Sequence, residues 1–130
     1  MGLQERRKIK ELQETTLPSR SKEIEEICGR AIPYEVDWDS LANDMEALNF
    51  LDNLSCHRLN MALRMICTDE TSREAVRDGL QLIKLKNVAD RNGMKMTLEN
   101  GVLEMHCAYA LRTDGLHNEG DIKDLLLRKL

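Results

Sequence analysis

The chain predicts an α+β domain: a mostly antiparallel four-stranded sheet covered on one face by helices. Three observations predict it. "LENGVL" places Asn100-Gly101, the preferred dipeptide of a two-residue type I′ turn, between two runs that alternate apolar and polar residues. "IPYEVDW" alternates in the same way over 32–38, with Ile32, Tyr34, Val36 and Trp38 on one side and Glu35 and Asp37 on the other. The stretches before, between and after these strands carry apolar residues three and four apart, the spacing of a buried helical face.

In chain order, residues 1–29 form a helical N-terminal segment in two pieces. Leu3, Ile9 and Leu12 give the first piece a thin apolar stripe. "TTLPSRS" interrupts it, because Pro18 lacks a backbone donor and suits a helix start better than its middle. Ile24, Ile27 and Cys28 form the buried side of the second piece, and Gly29 is placed to end it. The strand over 32–38 has Pro33 near its start, where the missing donor costs least, and Asp39 or Ser40 follows as a helix N-cap.

From Ser40 to Cys67 the pattern is helical, and at about 100° per residue Leu41, Met45, Leu48, Leu59, Leu63 and Ile66 share one face. Phe50, Leu54, Met61 and Met65 fall on nearly the opposite face, with His57 at its edge. Asp52 and Asn53 are the expected break. "TSRE" (Thr71 to Glu74) has capping-box spacing and opens a short helix that Gly79 closes.

The type I′ turn fixes the hairpin register: Glu99 faces Val102, Leu98 faces Leu103, Met96 faces Met105 and Met94 faces Cys107. Lys95, Thr97 and Glu99 then share the polar face with Glu104 and His106. A second Asn-Gly pair, Asn92-Gly93, is expected to join this hairpin to "LIKLKNV" (Leu82 to Val88). That makes a meander over 82–110, with Ile83 and Leu85 on its apolar side; "IPYEVDW" adds the fourth strand at either edge. "EGDIKDLLLRKL" closes the chain as an amphipathic helix carrying Ile122, Leu125 and Leu126 inward. At 130 residues, 1–130 is expected to be a single domain with its own core.

Aromatic residues are only 3% of the chain, so Leu, Ile and Met must fill that core. Apolar runs are a few residues long, too short for a membrane span or a signal-peptide core. Arg6 occupies the position where a myristoylation site needs Ser or Thr. A cytoplasmic protein without membrane attachment is therefore expected, with Cys28, Cys56, Cys67 and Cys107 as buried free thiols. Net charge is −4, and residues 31–70 hold 2 basic against 8 acidic side chains. That balance argues against nucleic acid as a ligand, since phosphate binding needs a basic face. The small basic cluster "ERRKIK" is diluted by Glu5 and Glu11 and reads as a solvated helix face.

Two histidine–cysteine doublets, Cys56-His57 and His106-Cys107, raise metal binding and thiol catalysis. Neither fits. Neighbours on a strand point to opposite faces, and neighbours on a helix diverge by about 100°. The spacings of structural zinc are absent, as are phosphate-loop, nucleophile-elbow and metalloprotease motifs, so no metal or cofactor is expected. A Cys–His pair from distant parts of the chain, such as Cys67 with His106, is the remaining thiol option. Glu35, Asp37 and Asp39 form an acidic cluster suited to Mg²⁺ or acid–base work. Its plainer reading is a solvated strand face leading into a cap.

The leading expectation is a non-enzymatic interaction protein: a homo-oligomer, adaptor, inhibitor or immunity-type partner of a more basic protein. Its binding residues would be the apolar stripe Phe50, Leu54, His57, Met61 and Met65 within an acidic surround that includes Asp37 and Asp44. The alternatives are a small hydrolase or metal-dependent enzyme using Glu35, Asp37 and Asp39, and a small-molecule sensor binding beneath the Met-rich side of the sheet.

Overall fold

The computed structural model describes residues 2–130, the side chains of residues 52–54 and 113 excepted. Helix α1 (Leu3–Glu11) and helix α2 (Leu17–Cys28) are joined by a widened π turn, Leu12–Thr16, in place of the expected interruption. The Leu17 N–H donates to Leu12 O, five residues back. Pro18 follows at the first turn of α2, so the wide turn absorbs the residue that would otherwise break the helix. Gly29 ends α2 with φ 93°, as its position predicts, and Arg77 Nη1 donates to Cys28 O at 3.0 Å to satisfy a terminal carbonyl.

The strand expected over 32–38 is shorter: β1 is Tyr34–Val36, and Trp38–Ser40 is already a 3₁₀ turn. Asp37 caps that turn by accepting from Ser40 N, so neither Asp39 nor Ser40 is its cap. Helix α3 (Met45–Phe50) starts at Asp44, whose carboxylate accepts from Ala47 N at 3.0 Å. A second π turn, Leu51–Cys56, carries the chain into α4 (His57–Ile66) where a break was expected. Helix α5 (Glu70–Gly79) is capped by Asp69, two residues before the capping-box threonine, because the Asp69 carboxylate reaches Ser72 N at 2.7 Å. Strands β2 (Leu82–Asn87), β3 (Lys95–Glu99) and β4 (Val102–Cys107) follow, and α6 (Glu119–Lys129) closes the chain from an Asn118 cap.

Helices and one four-stranded sheet make the α+β class, but the sheet is mixed and mostly parallel, in the order β1-β2-β4-β3. β1 and β4 both run parallel to β2; β3 alone is antiparallel, to β4. The expected meander is therefore wrong, while the hairpin within it has the predicted register: Glu99 with Val102, Leu98 with Leu103 and Met96 with Met105. Its turn has positive φ at both Asn100 (54°) and Gly101 (80°), as type I′ requires. Asn92 and Gly93 lack positive φ and lie at a short 3₁₀ turn capped by Asp90. The loop after β2 thus passes beyond β4 to the far edge, and β4 returns between β2 and β3. Alternation cannot distinguish these arrangements, since it fixes which face a side chain takes and not the direction of its neighbour.

Ile83, Leu85, Leu103, Met105 and Cys107 are almost wholly buried on the inner side of the sheet, against the buried faces of α2, α4 and α6. All four cysteines are buried, with no disulfide between any two of them. Asn87 ties the end of β2 to two turns: its N–H donates to Ser40 Oγ, its amide to Ser40 O, and Tyr109 N donates to its Oδ1. Tyr109, fully buried, opens the 3₁₀ segment Tyr109–Gly115, which closes through Ala108 N donating to Gly115 O at 2.8 Å. At Gly115 a Cβ would stand 1.8 Å from the Ala108 carbonyl oxygen. Gly115→Ala should accordingly cost at least about 2 kcal/mol by forcing two backbone segments apart. Urea denaturation checks this against Gly120→Ala, where the nearest atom is the Asn118 side-chain oxygen at 3.3 Å; equal midpoints would show that the closure does not need the glycine.

Candidate functional site

The outward side of the sheet follows from its registers. One row crosses the strands as Glu35, Lys84, Glu104 and Thr97, and the row below as Leu82, Val102 and Glu99. Above them Lys86, His106 and Lys95 align, and Asp37 continues β1 beside them, its N–H donating to Leu85 O. Read by strand, β1 is acidic, β2 basic, β4 carries Glu104 and His106, and β3 offers Lys95 at that end. Glu35, Asp37, Lys84, Lys86, Glu104 and His106 line a hollow of about 340 Å³ on this face. Lys84 Nζ lies 3.9 Å from Glu35, and both side chains remain largely solvated, so their pairing orders the face more than it stabilises it. Partial burial, with Lys95 and Lys86 nearby, holds the His106 imidazole below its usual 6.5 against the opposing pull of Glu104.

The acidic cluster is only partly assembled for chemistry. Glu35 and Asp37 share the open face, but Asp37 serves as a cap and Glu35 faces Lys84. Asp39 lies within the 3₁₀ turn. Among the described residues no group of three or more His, Cys, Asp or Glu side chains could hold a metal ion. The doublets diverge as expected: Cys56 and Cys107 are buried, His57 is exposed, and His106 faces the open side. Cys67 lies at the end of α4, where burial and neighbouring Cys28 push its thiol up to about 11, the opposite of an activated nucleophile. His106 feels Lys95, Glu104, Lys86 and His117, not Cys67.

The apolar stripe divides. His57, Met61 and Met65 are exposed on α4, with Met61 37% and Met65 41% accessible. Phe50 is half-buried beneath the Arg112 guanidinium, 5.9 Å from its ring centroid, and Arg112 also pairs with Glu46. The Leu54 side chain lies outside the described residues. Asp44 is held as the α3 cap, and Asp37 sits on the open sheet face, whereas α4 packs on the covered side through Asn60 and Tyr34. Asp37 and the exposed α4 residues of the stripe therefore occupy two surfaces. The stripe's charged neighbours on α4 are Arg58 and Arg64, so it has no acidic surround on its own helix.

Two features escaped the sequence reading. Lys84 and Lys86 belong to the polar face, which only the parallel β2–β4 pairing brings beside Glu104 and His106. Asn60, 1% exposed amid the apolar face of α4, bonds the Tyr34 hydroxyl at 3.1 Å and donates to Glu23. A lone amide between Leu59 and Leu63 was the available signal. No family model, curated protein or solved structure matches this chain, and no helix among the described residues is long and apolar enough to cross a membrane.

Met61→Lys should leave the fold intact, with a loss below about 1 kcal/mol, because the new ammonium reaches water. Circular dichroism and urea titration read this; a collapse would place Met61 in an internal contact. His106 sets a pH dependence with a definite sign. Its folded pKa is depressed, so the unfolded chain takes the proton more readily, and the stability present above about 6.5 is lost as pH falls toward the folded value. His106→Gln should flatten the fall in stability between about pH 7 and pH 5 relative to wild type. Parallel curves for the two proteins would show that the environment of His106 does not differ between the states.

Proposed function

We propose that the chain is a cytoplasmic, non-enzymatic interaction protein that seats a protein partner on the open face of its sheet. The observation that carries this reading is the arrangement of charge there: acidic Glu35 and Asp37 on β1, basic Lys84 and Lys86 on β2, Glu104 on β4 and Lys95 on β3, around a shallow hollow, on a face whose reverse is the core. Such a face selects a partner by charge register, and a partner that sets acids over Lys84 and Lys95 and bases over Asp37 and Glu104 gains at each of them. The catalytic alternative is weaker, because Glu35 and Asp37 are occupied with Lys84 and Ser40 N. A sensor beneath the Met-rich side has less support, since Met105 is fully buried in the core. The exposed α4 residues His57, Met61 and Met65 remain a secondary surface.

Lysine acetylation footprinting tests the reading directly. In an extract of the source cells, or in purified protein concentrated to about 1 mM, Lys84, Lys86 and Lys95 should label several-fold more slowly than in dilute purified protein, while exposed Lys22 and Lys129 label equally throughout. Equal labelling of all five both in extract and in the concentrated protein would overturn the assignment of this face to a partner.

A further inference from the structure

We infer that the occupant of the open face is a second copy of this chain, stacked sheet on sheet about a two-fold axis parallel to the strands. This deepens the interaction reading and rests on it. Two sheets packed face to face lie about 10 Å apart with strands roughly aligned. For the order β1-β2-β4-β3, an axis parallel to the strands and midway between β2 and β4 sets β1 over β3 of the second copy and β2 over its β4. Positions along the strands are kept, so each row faces itself. Lys84 then meets Glu104, Asp37 meets Lys95, and Leu82 meets Val102 of the second copy, each contact occurring twice. Lys86 faces His106 and Glu35 faces Thr97.

The other in-plane axis that keeps the strands aligned, perpendicular to them, lays every strand on its own copy. It would set Glu35 and Asp37 against acids and Lys84 and Lys86 against lysines. Charge therefore selects one of the two arrangements. Four strands about 4.8 Å apart and five residues long give a face of roughly 300 Å² per copy. That is below the ~800 Å² per partner of a standard interface. The pair is accordingly weak, with a dissociation constant on the order of 0.1 mM, and forms where local concentration is high.

The charge exchange makes the test specific. Wild type should show concentration-dependent association in sedimentation, and Lys84→Glu and Glu104→Lys should each weaken it by about 10-fold or more, since each places two like-charge contacts in the pair. Mixing the two variants should restore association, because every such contact between unlike copies is again attractive. A change inside one chain cannot produce recovery on mixing. If wild type stays monomeric to about 1 mM, well above the expected constant, the self-pairing is wrong. If the mixture associates no better than its components, the axis is wrong and the proposal falls. Carbodiimide cross-linking of isotope-labelled with unlabelled wild type needs no variant and guards against misfolding: a mixed-isotope Lys84–Glu104 link supports the pair, and its absence overturns it. Failure of self-pairing with lysine protection retained in extract leaves the interaction reading standing with another protein as occupant. Failure of both removes it.

Discussion

The six-residue parallel pairing of β2 with β4 is the constraint on which the rest of the molecule depends. It sets Ile83 and Leu85 beside Leu103 and Met105 on the inner face, where each fully buried side chain of this kind contributes about 1.5–3 kcal/mol. The same register places Lys84 beside Glu104 and Lys86 beside His106 on the outer face. β1 and β3 then complete the sheet on either side of this central pair. Asn87, at the end of β2, turns the pairing into a tertiary anchor by holding Ser40 and Tyr109. A slip of one residue would exchange the two faces and break all of these bonds together.

The helical layer is located by polar contacts as well as by burial. Asn60 receives the Tyr34 hydroxyl and donates to Glu23, joining β1, α4 and α2 at one point. The Asn60 bond, reinforced by Arg20 and Arg64, holds the Glu23 carboxyl below its ordinary range. Arg77 plays a comparable part at the other end of α2, reaching Cys28 O from α5 while Glu70 holds its other nitrogen. Helices that share only apolar ridges have several near-equivalent packings; directed bonds of this kind favour one.

The sequence spoke most clearly where cause and effect are close together. Asn100-Gly101 determines its turn, and the turn determines the hairpin register, all within about a dozen residues. The parallel pairing was hidden because Leu82–Asn87 satisfies its alternation equally well beside either partner direction. Pro18 was read as suiting a helix start and stands in the first turn of α2; the widened turn that keeps the chain helical before it was not legible in the residues. Asp69 competes with Thr71 for the same helix start and wins by reaching Ser72 N directly. For the candidate site, Glu35, Asp37 and the polar side of the hairpin were legible from parity. Their assembly with Lys84 and Lys86 required strand order, which depends on contacts distant along the chain.

The passage of the chain beyond β4 before β4 exists has a consequence for how the sheet is made. β2 is synthesised with the edge that will receive β4 still bare, and it waits while the following loop and β3 are laid down. The β3–β4 hairpin closes locally, on a timescale of about 1–10 μs, and can then dock as a preformed unit. Pairings distant in sequence form more slowly, because loop closure must precede them. During that interval an uncovered strand of alternating apolar residues is a template for any other unfolded copy. The positive charges at Lys84 and Lys86 make β2 strands repel when laid side by side in register, so the residues that give the finished face its pattern also guard the strand before the sheet is closed.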